Sequence, residues 1–366
     1  MGSFGELTVV SVQFIGGLAV VALLGWWLLC RRRGRPSSPT RTASLAFAAS
    51  LFTLLMVASC VNAYFSYLPK ISDVVDVITS SPPPDATVAL AASQSRGHPR
   101  GELVRLRVPD NGSGFGRSSA LVWLPPQYFS SPRAHFSVVY LFHGSPGVDK
   151  DWFRGGEAGQ IAAELAAQGK PAILVAPRMS RGWLDDSECV DSVKEKVETH
   201  LVRDVIPTVD AVLRTVPNRD DRIFGGMSAG GYCALNLGLR HRELVSTVLD
   251  LSGFTVPTHA GGLKALFGQA GSRQAQQNSP ATYVSSLPAG PSMRIWMDSG
   301  TADHEVLNEM RTLAPELRDR GVTVVERTRS GGHTYSVWRP ALRDSLGWAL
   351  SVPPGARSVR VTRGVE

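Results

Sequence analysis

Charge is scarce in this 366-residue chain: 19% of residues are Asp, Glu, Lys or Arg, against 43% hydrophobic, and there are only four cysteines. That balance describes a globular protein carrying extra apolar sequence. No set of His, Cys and Asp has the spacing of metal ligands, no glycine run has the form of a phosphate loop or a dinucleotide fingerprint, and no segment repeats. No metal and no cofactor are therefore expected. The lysines and arginines outside one N-terminal loop are mixed with acids rather than clustered with aromatics, which excludes a nucleic-acid footprint.

The apolar excess lies at the N-terminus. Residues from about Val9 to Cys30 hold no charge, and a second apolar run extends from about Ala43 to Leu68. Each is long enough to cross a hydrocarbon core of roughly 30 Å. The first run exceeds the apolar core of a signal peptide, and Arg31, Arg32 and Arg33 follow it rather than precede it. A two-helix membrane anchor over residues 1–68 is the favoured reading, with a signal peptide as the alternative. The loop from Arg31 to Arg41 holds five arginines and no acid, whereas only Glu6 precedes it. Positive-inside asymmetry places that loop in the cytoplasm and everything after about residue 68 outside it, in a multi-pass protein of the cell membrane. The same arginines suit anionic headgroups. Setting them and Glu6 aside lowers the net charge from +7 to about +3.

Residues 69–99 read as a linker, with an amphipathic piece at Ser72–Ile78 followed by Pro82-Pro-Pro-Asp85 and Ser93–His98. From 100 to 350 the pattern is that of one domain. A hairpin signal (Leu103–Val108, Ala120–Leu124) precedes buried-strand runs at Phe136–Phe142 and Ala172–Ala176, with a helix between them at Glu157–Gln168. A long helix is expected over about Val193–Arg214 with a kink at Pro207. Strands at Val245–Leu251, Met293–Met297 and Val322–Glu326 then alternate with helices at Ala229–Arg240, Glu305–Arg320 and Tyr335–Leu350. Alternation of this kind predicts a doubly wound, mostly parallel α/β sheet. Gly253–Gly290 is too long for a simple connection and is either a cap beside the site or a disordered insertion. Residues 351–366 form a tail.

Chemistry concentrates at Gly226-Met-Ser-Ala-Gly230, which fits a nucleophile elbow: the serine sits on a tight strand-to-helix turn whose flanking positions must be small. Ser228 needs a histidine base, an acid to orient it, and N–H donors for a developing oxyanion. His333, in a glycine-rich loop after the last strand, is the base expected from among His241, His259, His304 and His333. For the acid, Asp298, Asp303 and Glu305 compete. Asp303 is preferred because the Ser-Gly-Thr-Ala turn before it brings the carboxylate back over the sheet edge, although it also suits a helix N-cap. The expected oxyanion donors are the N–H groups of Ala229 and of Ser145, in the His143-Gly-Ser-Pro-Gly147 loop. Trp152, Trp183 and Trp338 could line an acyl or sugar pocket, but aromatics this large are more often core, and core packing is the commoner reading for each. Cys30 and Cys60 fall in or beside the apolar runs. Cys189 and Cys233 lie outside them and are either bridged, tying the helix after the elbow to a neighbouring loop, or two buried free thiols.

Leu141-Phe-His-Gly144, Gly226–Gly231, Gly300-Thr-Ala-Asp303 and Gly332-His-Thr-Tyr-Ser-Val-Trp338 occur in an order that resembles the esterase family of α/β hydrolases, which includes esterase D, feruloyl esterases and the secreted mycolyltransferases. The resemblance covers residues from about 100 to 350. It implies an α/β-hydrolase fold, Ser228 as nucleophile, Asp303 as acid, His333 as base, and Ser145 with Ala229 as oxyanion donors. Glu188–Asp191, Val197–Leu201 and Asp204-Val205 are similar to actinobacterial members. Ala229 stands where many relatives have methionine, and the family pattern does not account for the two apolar runs. The function expected is a membrane-tethered serine esterase acting through an acyl-enzyme on ester or acyl-lipid substrates outside the cytoplasm. The alternatives are acyl transfer to an envelope sugar or lipid, and a non-catalytic scaffold on a hydrolase fold.

Overall fold

The computed structural model describes residues 8–32, 38–87, 90, 100–182, 184–288 and 290–351. Trp183, most of the expected linker beyond Thr87, Arg33 and Arg35 of the basic loop, and the tail after Ser351 lie outside these. The chain forms two compact units, Met1–Ser81 with Thr334–Ser336, and Pro82–His333 with Val337–Glu366.

In the first unit, α1 (Val12–Arg32) and α2 (Pro39–Phe65) pack against each other. Both are long and apolar enough to cross a membrane. The second starts four residues earlier than its uncharged run because Pro39 suits a first helical turn, where no N–H is needed. Small residues set the contact: Gly25 lies where an added Cβ would come 2.9 Å from the Cβ of Ala49. The Trp26 indole donates to Thr53 Oγ1 at 3.1 Å, and that hydroxyl donates to Ala49 O at 2.8 Å. Most other apolar side chains of the pair, Leu23, Trp27 and Leu54 among them, are exposed. Val9 N donates to Pro69 O at 3.0 Å, so the chain leaves the pair at the end where it entered. The amphipathic piece that follows is α3 (Ile71–Thr79).

The second unit is built on an eight-stranded sheet of order β1-β2-β4-β3-β5-β6-β7-β8. Its strands are β1 (Glu102–Val108), β2 (Ser118–Leu124), β3 (Ser137–Phe142), β4 (Ala172–Pro177), β5 (Arg222–Met227), β6 (Thr247–Leu251), β7 (Arg294–Gly300) and β8 (Thr323–Arg329). Only β2 runs against its neighbours; β4-β3-β5-β6-β7-β8 are parallel. The runs read from sequence as buried on both faces, β3 and β4, are buried throughout, as are β5 and β6. At the edge, β8 has no buried residue and carries Glu326, Arg327 and Arg329, charges that discourage further strand pairing. Helices α4 (Ala158–Ala167), α5 (Ala229–Arg240), α6 (His304–Asp319) and α7 (Tyr335–Ala349) cover the sheet's connections.

Three local features differ from, or add to, the sequence expectations. The long helix expected over 193–214 is Val197–His200 and Ile206–Val212, joined by a π-helical turn at Leu201–Val205. Pro207 has no N–H to give, and the ladder widens just before it. Residues 84–87, expected in the spacer, dock on β1: Arg105 N donates to Pro84 O at 2.8 Å, Arg107 pairs with Asp85 at 2.7 Å, and Ala86 is buried. Gly253–Gly290 is ordered into short helices at Leu263–Phe267, Gly271–Gln277 and Pro280–Tyr283.

Parallel strands bring their carboxyl ends to one edge, the usual place for a site in such sheets. The register pairs Phe142 with Gly226, Gly226 with Asp250, and Leu251 with both Met227 and Asp298. The residues after β3, β5, β6 and β7 therefore emerge side by side. Cys189 and Cys233 are bridged with Cα atoms 5.4 Å apart, which ties α5 to the loop after β4. Cys30 and Cys60 are free and exposed. Asp250 lies beneath the first turn of α5, fully buried, and accepts from Gly253 N at 2.7 Å. Burial pushes its carboxyl up to about 7, with the charges of Glu309 and Asp298 acting in the same direction.

Two stability predictions follow from these features. The bridge closes a loop across a separation of 44 residues, for which a chain-entropy treatment gives about 4 kcal/mol and measured losses are commonly ~2–5 kcal/mol. Urea unfolding of the detergent-solubilised chain with Cys189→Ala and Cys233→Ala should show a loss in that range; an unchanged midpoint would contradict the bridge. The second concerns pH. Asp250 holds its proton in the folded state at pH values where the unfolded chain has released it, so its contribution is full below about pH 4 and is lost as pH rises through about 7. Asp250→Asn should flatten the dependence of unfolding free energy on pH between these limits by up to about 1.4 kcal/mol per pH unit. Identical slopes in the two proteins would refute this.

Candidate active site

The apolar β5 strand ends at Met227, and α5 begins at Ala229, which leaves one residue for the turn. Ser228 takes it with φ 57° and ψ −127°, a backbone region an L-residue occupies only where its surroundings impose it. Its N–H donates to Leu251 O at 2.9 Å, anchoring the turn to β6. The glycines on either side permit the close approach. A Cβ on Gly226 would stand 1.7 Å from Gly230 O, and one on Gly230 would stand 2.0 Å from Phe142 O. The serine is thereby pinned between the ends of β3, β5 and β6.

Ser228 Oγ lies 2.7 Å from His333 Nε2, and His333 Nδ1 lies 2.6 Å from Asp303 Oδ2. The histidine side chain is 30% exposed and the aspartate 12%. Asp303 occupies the N-cap position of α6, yet its carboxylate makes no cap hydrogen bond and turns to the histidine instead. The loop after β8 passes tightly over the end of β7: a Cβ on Gly300 would come 2.4 Å from Gly331 O, and Ala302 N donates to that same carbonyl at 2.8 Å. Trp338 stands edge-on to the His333 ring at 4.9 Å between centroids, and Phe254 lies at 6.0 Å on a tilted plane.

The competing residues are occupied elsewhere. Asp298 is buried and accepts from Arg329 Nε at 2.9 and 3.1 Å, with its other bond from the Trp296 indole. Glu305 is exposed in the first turn of α6. His241 pairs with Glu198 at 2.8 Å, and His259 accepts from Gly261 N. Trp152 takes the core role rather than that of a pocket wall: it is fully buried and its indole donates to Phe142 O at 2.9 Å. An indole that large finds its partner beneath the strand end rather than at the surface.

Ser145 and Ala229 line a shallow, solvent-open depression beside Ser228, together with His143 and Gly144. A Cβ on Gly144 would lie 3.3 Å from the Ser228 Cβ. Ala229 N belongs to the first turn of α5, whose N–H groups have no intrahelical partner and carry the positive end of the helix dipole. Burial holds the His143 imidazole below its ordinary pKa, so it stays neutral.

Two features were given no role from the sequence, although Glu188, His200 and Asp204 lie in the stretches similar to actinobacterial members. Asp186 and Glu188 line the depression, in the run Asp185-Asp-Ser-Glu188. The second is a buried line from Ser118 Oγ to His200 Nε2 at 2.9 Å and from His200 Nδ1 to Asp204 Oδ2 at 2.7 Å. Phe115 stacks on that imidazole at 4.1 Å, and Asp204 also accepts from Asn111 N and the Ser113 hydroxyl. This second line pins the β1–β2 turn to the helix at Val197–His200. Among the described residues no cluster of His, Cys, Asp and Glu could hold a metal ion.

The family model described as Putative esterase matches residues 116–349. A protein of Corynebacterium glutamicum described as uncharacterized is 28% identical over 362 residues, covering 92% of this chain and 81% of that one, so the match extends beyond the family segment. An acetyl esterase of Caldicellulosiruptor saccharolyticus is 24% identical over 60% of this chain and 85% of its own length. Among solved structures, a ferulic acid esterase superposes with a TM-score of 0.60 at 23% identity, covering 68% of this chain and 97% of that one. An S-formylglutathione hydrolase from Agrobacterium tumefaciens gives 0.57 at 17% identity, over 70% and 96%. At those identities the superpositions speak for the α/β-hydrolase fold. With the family match spanning most of the chain, the sheet and its helices carry an enzyme of the hydrolase or acyltransferase class, and the chain belongs to the Putative esterase family.

Proposed function

We propose that this chain is a membrane-tethered serine esterase working through an acyl-enzyme on ester substrates outside the cytoplasm. The observation that carries the reading is the continuous hydrogen-bonded line from Asp303 through His333 to Ser228, with the serine on its constrained turn. In the tautomer this network favours, Nδ1–H donates to Asp303 and Nε2 accepts from the Ser228 hydroxyl. Ser228 Oγ attacks the ester carbonyl as its proton passes to His333. The N–H groups of Ala229 and Ser145 receive the charge developing on the carbonyl oxygen. His333 then protonates the departing alcohol, Asp303 stabilising the imidazolium and holding its orientation. Water, deprotonated by His333, attacks the acyl-enzyme and releases the acid. An alcohol in place of water gives acyl transfer with the same residues.

The extracytoplasmic assignment rests on three points. The arginines between α1 and α2 favour the cytoplasmic side. Val9 and Pro69 pair at one end of the helix pair, as a two-crossing hairpin requires. The Cys189–Cys233 bridge suits an oxidising compartment.

Ser228→Ala should abolish labelling by a fluorophosphonate probe and lower kcat on p-nitrophenyl acetate by about 10⁴-fold or more; Asp303→Asn should cost about 10³–10⁴-fold. Asp298→Asn should leave labelling in place while destabilising the fold by about 1.5–3 kcal/mol, since it weakens charge-assisted bonds to Arg329. Loss of labelling in Asp298→Asn with retention in Asp303→Asn would reverse the assignment, and a wild-type protein that neither labels nor turns over esters would refute it. Topology has a separate check. A C-terminal alkaline phosphatase fusion should be active, and a fusion active only as a cytoplasmic reporter would overturn the outward orientation.

A further inference from the structure

One buried carboxyl beside the nucleophile turn has no part in the ester chemistry. Asp250 is 2% exposed and stands on β6 across from Gly226, in a strand whose other residues are Thr247, Val248, Leu249 and Leu251. Its Oδ1 accepts from Gly253 N at 2.7 Å, so the side chain closes a turn over Leu251 and Ser252. Both enclosed residues are bound to neighbouring elements. Leu251 O receives the Ser228 N–H at 2.9 Å, and Ser252 N donates to Asp298 O on β7 at 2.8 Å. Ser252 itself has φ 57°, in the left-handed region that a serine occupies only under restraint.

The same oxygen lies against the helix that follows Ser228. A Cβ on Gly231 would stand 2.6 Å from Asp250 Oδ1, and one on Gly253 would stand 2.3 Å from that atom and 2.4 Å from Tyr232 N. Gly231 N in turn donates to Ser228 O at 2.8 Å. Beyond the turn, Phe254 lies 6.0 Å from the His333 ring, and Glu309 Oε2 holds Thr255 through its N–H at 2.6 Å and its hydroxyl at 2.9 Å. The turn closed by Asp250 therefore meets the acceptor of the Ser228 N–H on one side and leads to the flank of His333 on the other. A carboxyl buried at this depth costs stability that an apolar residue would not. Leucine or valine would fill the space; the bond to Gly253 N is what the acid adds.

We propose that Asp250 is a positioning residue for the nucleophile: by closing the turn over Leu251 and Ser252 it fixes the carbonyl that anchors Ser228, and so sets the aim of Oγ. The inference rests on the esterase reading above and concerns what keeps Ser228 aligned with His333. Without the bond, Ser252 is free to leave the left-handed region, Leu251 O turns with it, and Ser228 loses its fixed distance to the base. A displacement of about 1 Å at a reacting group costs on the order of 10²-fold in rate.

The test uses the full-length protein in detergent at about pH 6, below the value of about 7 to which burial raises the Asp250 carboxyl, so that asparagine reproduces its neutral form. Fluorophosphonate labelling carried to completion counts competent sites, and kcat on p-nitrophenyl acetate is read per site rather than per chain. Asp250→Ala and Asp250→Leu both remove the acceptor, the first leaving space and the second filling it. Each should lower kcat per site by about tenfold to 10²-fold with KM within about twofold, the pattern of a contribution lost from the transition state alone. Asp250→Asn keeps an acceptor for Gly253 N and should hold kcat per site within about threefold of wild type. A carboxyl that only supports the fold would change the unfolding midpoint and the number of sites while kcat per site stayed constant. Wild-type kcat per site in either acceptor-free variant overturns the inference, as does an asparagine variant as slow as they are, or acceptor-free chains with no competent sites at all. A wild-type protein that neither labels nor turns over p-nitrophenyl acetate would instead sink the esterase reading, and this inference with it.

Discussion

The steric bottleneck at the end of β5 governs the architecture. Three backbones converge there, those of Phe142, Gly226 and Gly230, at distances that exclude any side chain at the two glycines. Ser228 is left in a backbone conformation that costs an L-residue about 1–3 kcal/mol, and only a rigid surround can hold it there. The surround is the parallel register itself: β5 is clamped between β3 and β6, and Leu251 O receives the Ser228 N–H. The sheet order, the buried strands and the position of α5 all serve to make that one turn unavoidable.

The two Ser–His–Asp lines in this chain separate what a hydrogen-bond geometry contributes from what the turn contributes. The distances in the Ser118–His200–Asp204 line are within a few tenths of an ångström of those in the Ser228–His333–Asp303 line. Ser118, however, is a strand residue paired in the β1–β2 ladder rather than the single residue of a strand-to-helix turn. His200 and Asp204 are completely buried, and the aspartate is saturated with further donors. Such a line is a structural clasp. The line at His333 differs in being partly open to solvent, in ending on a constrained serine, and in lying beside the first-turn N–H groups of α5.

Much of this was legible in the sequence because the relevant constraints are local. Strand and helix alternation followed from hydrophobic period, and the glycines around Ser228 and before His333 marked close backbone approaches. The choice between Asp298 and Asp303 was less accessible, since both end or follow the same strand. Arg329, 31 residues away in sequence from Asp298, occupies that carboxylate, and this supports the proposed acid role of Asp303. Trp152 takes the core role that is commoner for so large an indole, but the carbonyl that receives its N–H, that of Phe142, could not be named from composition. The docking of residues 84–87 on β1 and the π-helical turn before Pro207 depend on tertiary pairing that no short window contains.

The acidic wall was the least legible feature, and its construction shows why. Glu188 is held from two distant parts of the chain: by the disulfide from its neighbour Cys189 to Cys233, and by Thr258 from the segment after β6. That segment is further fixed by Val193 N donating to Leu266 O at 2.8 Å and by an apolar cluster of Val190, Leu266, Phe267 and Ala275. The covalent bridge and the ordered segment thus hold in place two carboxylate oxygens that would otherwise turn to water.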